Sequence, residues 1–298
     1  MLFFKKYVSL PPFFILYMMI VAKSLSEFDS ARRALEGAIV GFVPTMGALH
    51  QGHASLIVKA VRECDAVVIS DFVNPTQFNN KNDFNTYPRT LDDDCALVEP
   101  LGVNILFAPR VVDINPEGSG LDSKVFDLGG LDMYGEGPRR PGHFNGMAQV
   151  VTRLFDIVRP DRAYFGEKDY QQLAIIEYFT KNLGYPIEIV RCPIARAENG
   201  LALSSRNKLL SKEAFEAAPH IYNTISKVHG MKGVISVSDA IEKIVSMIDS
   251  NPLFKTEYVE IVDAATLRPV ETWNEALSLR LSCAVYAGPV RLIDNIAV

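Results

Sequence analysis

The stretch Ile39-Val40-Gly41-Phe42-Val43-Pro44-Thr45-Met46-Gly47-Ala48-Leu49-His50-Gln51-Gly52-His53 decides the fold. Ile39 to Val43 is an apolar run of strand length that Pro44 is expected to end, and Leu56, Ile57, Ala60 and Val61 then recur at helical spacing. The order is strand, turn, helix, with His53 in the first helical turn. A helix start offers backbone N–H groups without intrahelical partners and the positive end of the macrodipole. Gly47 and Gly52 would let a polyphosphate approach the main chain, and two imidazoles three residues apart would donate to its oxygens. The expected ligand is an anion. A metal reading of His-x-x-His needs a third ligand at a recognisable spacing, and none follows locally. Neither G-x-G-x-x-G nor G-x-x-x-x-G-K-[ST] occurs, so neither a dinucleotide fingerprint nor a P-loop is signalled.

With 298 residues and 48% apolar content, the chain can bury a large core in one large or two modest domains. A formal charge of −5 argues against a general nucleic-acid or membrane surface, which leaves a local cluster of bases for any anion. Cys64, Cys95, Cys192 and Cys283 show no C-x-x-C spacing, which fits a reducing, cytoplasmic setting. Lys5 and Lys6 precede an apolar run from Tyr7 to Ala22 that superficially resembles a signal peptide. Pro11-Pro12 break it, it is shorter than the roughly 20 residues a bilayer span requires, and no clear small-residue cleavage site closes it. Residues 1–18 therefore read as an extension, with translation expected to start at Met18 or Met19 and Ile20 and Val21 opening the fold.

Further along, Ala66 to Phe72 reads as a second buried strand, ending in the polar loop Val73 to Phe78. Thr90 is a plausible N-cap for a helix through Leu101, with Asp92, Asp93 and Asp94 in its first turn. Strands are expected at Val103–Phe107, Ala163–Phe165 and Ile187–Val190, and helices at Phe144–Val158 and Tyr170–Leu183. Gly129 to Gly142 is the most loop-like stretch of this part. The alternation predicts an α/β fold, a doubly wound, mostly parallel Rossmann-like sheet over residues 19–193. Residues 194–298 change texture. Helices near Lys212–Val228 and Val237–Ile248 precede strands near Glu257–Val262, Leu279–Tyr286 and Arg291–Ile296, a smaller α+β domain expected to close as a lid.

Three further segments carry candidate chemistry. Gly166-Glu167-Lys168-Asp169-Tyr170-Gln171-Gln172 follows a strand and opens a helix, so Asp169 can cap while Lys168 faces a ligand. Leu203-Ser204-Ser205-Arg206-Asn207 puts two hydroxyls and a guanidinium in one loop, suited to phosphate oxygens or, more plainly, to capping a helix. Arg140-Pro141-Gly142-His143-Phe144 adds a base and an imidazole. His220 and His229 lie on or beside a surface helix and carry no functional expectation.

In series, PTMGALHxGH (44–53), FVNPTQF (72–78), YPRT (87–90), RPGHF (140–144), RPDRAYFGEKDYQQL (159–173) and GLALSSRN (200–207) closely resemble the pantothenate synthetases. These pantoate–β-alanine ligases are among the His-x-Gly-His nucleotidyltransferases. The likeness runs from about Met19 to the C-terminus. It implies ATP-dependent condensation of (R)-pantoate with β-alanine to pantothenate, AMP and pyrophosphate through a pantoyl adenylate. By resemblance, His50, His53, Lys168, Ser204, Ser205 and Arg206 are catalytic, with His53 at the position of a proton donor. ATP would be held by Met46, Gly47, Ala48, Leu49, His50, Gln51, Gly52, His53, Gly166, Glu167, Lys168, Asp169, Ile194, Leu203, Ser204, Ser205 and Arg206. Gln77, Gln172 and Asn74 would bind pantoate or β-alanine, with Tyr87, Arg140 and His143 in support. ATP implies Mg2+, for which Asp93 or Asp94 is an outer candidate. A homodimer is implied, with no nucleic-acid or membrane partner. Leu203 stands where many members have Met, a change that conserves volume. The alternative is a nucleotidyltransferase adenylating a phosphate-bearing substrate, which would share the histidine pocket without needing the glutamines.

Overall fold

A computed structural model of the chain describes residues 18–77, 84–85, 87–115 and 124–298. The extension expected over residues 1–18 lies outside them except for Met18, which is exposed. Six parallel strands form the first sheet: β1 (Ile20–Ala22), β2 (Val40–Thr45), β3 (Ala66–Asp71), β4 (Ile105–Phe107), β5 (Arg162–Gly166) and β6 (Glu188–Cys192), in the order β1-β4-β3-β2-β5-β6. Residues alternate between two apolar layers. Phe42 and Val68 pack with the helices Leu25–Arg33, His143–Val158 and Tyr170–Asn182, whereas Val43, Val67 and Ile69 pack with Gln51–Glu63 and Leu91–Val98. Burial on both faces explains why β3 reads as a continuous apolar run.

The topology fixes where a ligand can sit. From β2 the chain winds outward through β3 on one side, while β5 and β6 lie on the other. β2 and β5 pair only at Gly41–Arg162 and Phe42–Ala163, then diverge. A crevice opens at their carboxyl ends, the switch point where open α/β sheets bind ligands.

Several boundaries differ from expectation. Pro44 does not end β2, which runs on to Thr45. In a parallel strand alternate residues face alternate neighbours. Val40 turns its N–H and C=O toward Asp161 and Thr45 turns its own toward β3, so Pro44, in phase with Val40, points its missing N–H to the side where β5 has already departed. Ile39 lies outside the strand and is exposed. The helix after Thr90 stops at Val98 and tightens into a 3₁₀ turn, Glu99–Leu101, around Pro100. Gly129 to Gly142 is not all loop, since Glu136–Arg139 forms a helical turn.

The C-terminal part carries a second sheet of three antiparallel strands, β7 (Phe254–Asp263), β8 (Leu279–Ala287) and β9 (Val290–Ala297), ordered β7-β8-β9. It has its own core, including Ile225, Ile244, Ile248, Leu281 and Val285. The helix expected across Lys212–Val228 is broken into Lys212–Ala217, Pro219–Ile225 and a 3₁₀ turn, because Pro219 lacks the N–H a continuous helix needs. All four cysteines are free thiols. Among the described residues no helix is long and apolar enough to cross a membrane.

Candidate active site

The loop from β2 ends in a helix N-terminus built by its own histidines. His50 is the N-cap of Gln51–Glu63, and its Nδ1 accepts from the Gly52 N–H at 3.0 Å; His53 Nδ1 accepts from the His50 N–H at 3.3 Å. Two imidazoles thus occupy the positions that Ser and Glu fill in an ordinary capping box. The ring centroids are 4.1 Å apart. Because each Nδ1 is an acceptor, each neutral ring carries its proton on Nε2. Burial, followed by the Lys168 charge, pushes His50 down to about 4, and burial, His50 and Lys168 push His53 to about 3. Both rings are neutral Nε2–H donors at pH 7.

The main chain of this loop does not play the part expected of it. The Ala48 and Leu49 N–H groups donate to the two Asp94 carboxylate oxygens at 2.9 and 2.6 Å, the Gly47 N–H donates to Thr45 Oγ1, and that of Gly52 is taken by His50. Buried donors have to be paired, and here the protein pairs them itself. The glycines also have internal reasons. Gly47 has φ +74°, and a Cβ there would collide with the Asp71 carboxylate, while one at Gly52 would meet the His50 ring. Side chains, not an open amide cradle, face the crevice.

Opposite, β5 ends in the 3₁₀ turn Glu167–Asp169, which leads into Tyr170–Asn182. Asp169 takes the N-cap position but makes no capping bond, contrary to expectation, and faces the cavity with Lys168. From the C-terminal part, Ser204 caps the turn Ser205–Leu209 through the Arg206 N–H at 3.3 Å, so the capping role and the cleft position coincide. Tyr87 is hydrogen-bonded with Ser205, and burial pushes its phenol up.

These segments enclose a cavity of about 240 Å³ lined by Met46, His50, Gly52, His53, Tyr87, Gly166, Lys168, Asp169, Gln172, Ile194 and Leu203 to Arg206, over an apolar floor that includes Phe72, Met147 and Val150. Lys168, Asp169 and Gln172 also border a smaller space with Arg140 and His143, and Lys168, Asp169, Ser204 and Arg206 border a wider one of about 590 Å³ with Arg139, Arg140 and Arg291. The cleft is therefore polar and cationic at one end and apolar at the other.

Other expected residues are placed elsewhere. Gly47, Ala48, Leu49, Gln51 and Glu167 are not among the lining residues. Asn74 is buried, and its amide nitrogen donates to Thr76 Oγ1 and the Gly146 carbonyl, tying its loop to the helix His143–Val158. Gln77 ends a 3₁₀ turn, Pro75–Gln77, and its side chain lies outside the described part. Asp93 is exposed, and Asp94 is 2% exposed and held by the Ala48 and Leu49 amides and the Thr90 hydroxyl. Asp94 thus buttresses the histidine loop from below. Among the described residues no three His, Cys, Asp or Glu side chains cluster to hold a metal.

Several residues here went unread in the sequence. Asp71 is half-buried beside the buried Asp94, and burial followed by that neighbouring charge pushes its carboxyl above the usual carboxylate range. Gln171 donates to the Leu131 and Tyr134 carbonyls and accepts from the Glu136 N–H, which folds the glycine-rich stretch onto the sheet. Glu136 receives both Arg291 guanidinium nitrogens, at 2.7 and 2.8 Å, and the Tyr258 hydroxyl, joining that stretch to β7 and β9. Arg196 pairs with Asp294 through two contacts of 2.7 Å, and Asn295 donates to the Glu167 and Lys168 carbonyls. Every one of these partners is distant in sequence.

The family model of pantoate-beta-alanine ligase matches residues 20–297. The chain belongs to the pantoate–β-alanine ligase family. Its activity is that of a ligase that forms an amide bond between pantoate and β-alanine. Among its relatives, the pantothenate synthetase of Bacteroides thetaiotaomicron is 50% identical over 274 residues, 92% of this chain and 96% of that protein. The crystal structure of pantothenate synthetase from Thermus thermophilus is similar with a TM-score of 0.86 at 43% identity, covering 93% of this chain and 99% of the other. The pantoate-beta-alanine ligase of Francisella tularensis, solved in complex with beta-gamma ATP and beta-alanine, is similar with a TM-score of 0.78 at 40% identity, covering 93% and 97%.

Proposed function

We propose that the ligase activates pantoate by adenylation in the crevice between β2 and β5. A carboxylate is a poor electrophile. Its oxygen attacks the α-phosphorus of ATP, pyrophosphate leaves, and the resulting mixed anhydride is opened by the β-alanine amine, which forms the amide and releases AMP. The convergence of His50, His53, Lys168, Ser204, Ser205, Arg206 and Gln172 on one cavity carries this reading. The neutral Nε2–H groups of His50 and His53 donate to phosphate oxygens without losing a proton, while Lys168 and Arg206 offset the charge that grows on the departing pyrophosphate. In the free enzyme the His53 ring is uncharged at neutral pH and presents its Nε2–H as a hydrogen-bond donor.

Met46 and Ile194 flank the nucleotide, and Gln172, with Gln77, accommodates pantoate, whose hydroxyls and carboxylate suit a neutral amide. Tyr87, Arg140 and His143 support the phosphate end. Magnesium would arrive with ATP, whose phosphate oxygens are its natural ligands. Residues 194–298 act as a smaller domain that closes the crevice, and the enzyme works as a cytoplasmic homodimer joined through the parallel-sheet part. Incubation with ATP, pantoate and β-alanine is expected to yield AMP, pyrophosphate and pantothenate in equal amounts. A nucleotidyltransferase acting on a phosphate would instead leave AMP attached to its product and would need no amine.

A further inference from the structure

β9 contains two adjacent polar residues, Asp294 and Asn295, that are 6% and 3% exposed. Burying an amide and a carboxylate side by side is costly unless each polar atom is matched. Here they are matched, and by the active-site loops. Both hydrogens of the Asn295 amide leave their own sheet for the Glu167 and Lys168 carbonyls, each at 2.9 Å. Its carbonyl oxygen accepts from Arg280 Nη1 at 2.5 Å, and Arg280 is itself fixed over the Tyr170 ring at 3.8 Å and beside Glu167 at 3.9 Å. With donors and acceptor all assigned, the amide can point only one way. Asp294 grips Arg196, which donates again to the Gly200 carbonyl and lies 3.7 Å over the Tyr222 ring. The Arg196–Ala202 bridge begins the segment that delivers Ser204 to Arg206.

We propose that Asn295 is a positioning residue for Lys168: by holding two successive main-chain carbonyls of the Glu167–Asp169 turn, it sets the direction in which the lysine leaves β5. The same dipeptide anchors the Ser204–Arg206 loop through Asp294, so β9 fixes the spacing between that loop and the Lys168 turn. Displacement of a catalytic group by about 1 Å can cost about 100-fold in rate, which makes such a tie effective at a distance from the reacting atoms. The proposal rests on the assignment of Lys168 to the nucleotide phosphates.

The test uses the full-length enzyme, with rates of pantoate-dependent pyrophosphate exchange, ATP affinity by calorimetry and thermal unfolding. Asn295→Asp keeps the shape but turns both donors into acceptors facing carbonyls, while Arg280 remains to balance the new charge. Its expected effect is a fall in exchange kcat of about 10-fold or more with ATP Kd within about 3-fold of wild type. Asn295→Ser, which retains one donor and is milder for folding, should fall between the two. In a Lys168→Ala background, followed by single turnover with enzyme in excess, Asn295→Asp should cost less than about 2-fold, because the lysine it positions is gone. An equal fold-loss in both backgrounds, or near wild-type exchange by both Asn295 variants while Lys168→Ala is inactive, overturns the positioning role alone. Wild-type exchange by Lys168→Ala overturns the assignment of the lysine itself.

Discussion

The two walls of the crevice are built in opposite ways. On the β2 side, the anion-facing histidines hold each other locally: His50 caps its own helix, His53 reaches back three residues to hold His50, and the one distant support, Asp94 beneath Ala48 and Leu49, belongs to the same parallel-sheet part. On the β5 side, Lys168 has no such local support. Its turn is tied by Asn295, 127 residues away, and the neighbouring serine-arginine loop is tied through Arg196 to Asp294, 98 residues away. One wall is held from within the parallel-sheet part and the other by a separate sheet. Substitutions should therefore separate cleanly into those that act on chemistry where they stand and those that act through the second sheet.

The largest effect is expected from Lys168→Ala. Loss of one preorganised cationic donor should lower the adenylation rate by about 10²- to 10³-fold with only a modest loss of ATP affinity. Stopped-flow or exchange kinetics beside calorimetric ATP binding would measure both; weakened ATP binding with the saturated rate unchanged would mean that the lysine binds ground state and transition state alike.

His50→Asn sharpens the contrast, because Asn can cap the helix but offers no group in place of the imidazole Nε2–H. The expected outcome is a rate at least about 10-fold lower with helix stability within roughly 1 kcal/mol of wild type. A variant unchanged in rate would reduce His50 to a cap. The same ring predicts a pH effect. Since the folded protein holds His50 near 4 and His53 near 3, below the ordinary imidazole value of about 6.5, the unfolded chain binds more protons between these limits, and stability should fall as pH drops from neutrality through that window. Unfolding midpoints from pH 7 to pH 4.5 should fall more steeply for wild type than for His50→Asn, which keeps only one of the two depressed imidazoles.

Glu136→Gln addresses the remote wall. Burial opposes ionisation of Glu136, but Arg291 and Tyr258 hold it below the usual carboxylate range. Its stabilising contribution is therefore present at neutral pH and lost as pH falls beneath that range. Removing the charge should cost about 3 kcal/mol at pH 7, and the difference from wild type should shrink in acid, as read by chemical denaturation. The smallest effect is expected at Leu203→Met, which preserves volume beside Gly52 and should change stability by less than about 1.5 kcal/mol and leave the rate near wild type.

This asymmetry also explains how much of the molecule was legible in its sequence. The strand-turn-helix order, the parallel sheet and a smaller α+β part with three late strands follow from short-range periodicity, whereas the grouping of His50, His53, Lys168 and Ser204–Arg206 is implied by the resemblance that the motifs carry in series. Glu136 was hidden in a glycine-rich stretch that looked like loop, and it gains meaning only from Arg291 and Tyr258 on strands far down the chain. Asp294 and Asn295 do break the alternation of β9, yet a polar pair near a terminus does not reveal which carbonyls it will meet. The amides of Ala48 and Leu49 were misread for the same reason: Asp94, which occupies them, lies more than forty residues away.

Pyrophosphate exchange tests the central claim most directly. With labelled pyrophosphate, ATP and pantoate, and with β-alanine withheld, wild-type enzyme is expected to return label to ATP, because activation of the carboxylate precedes attack by the amine. Label that enters ATP only when β-alanine is present, in enzyme that completes the full reaction, would contradict an adenylate formed in this crevice.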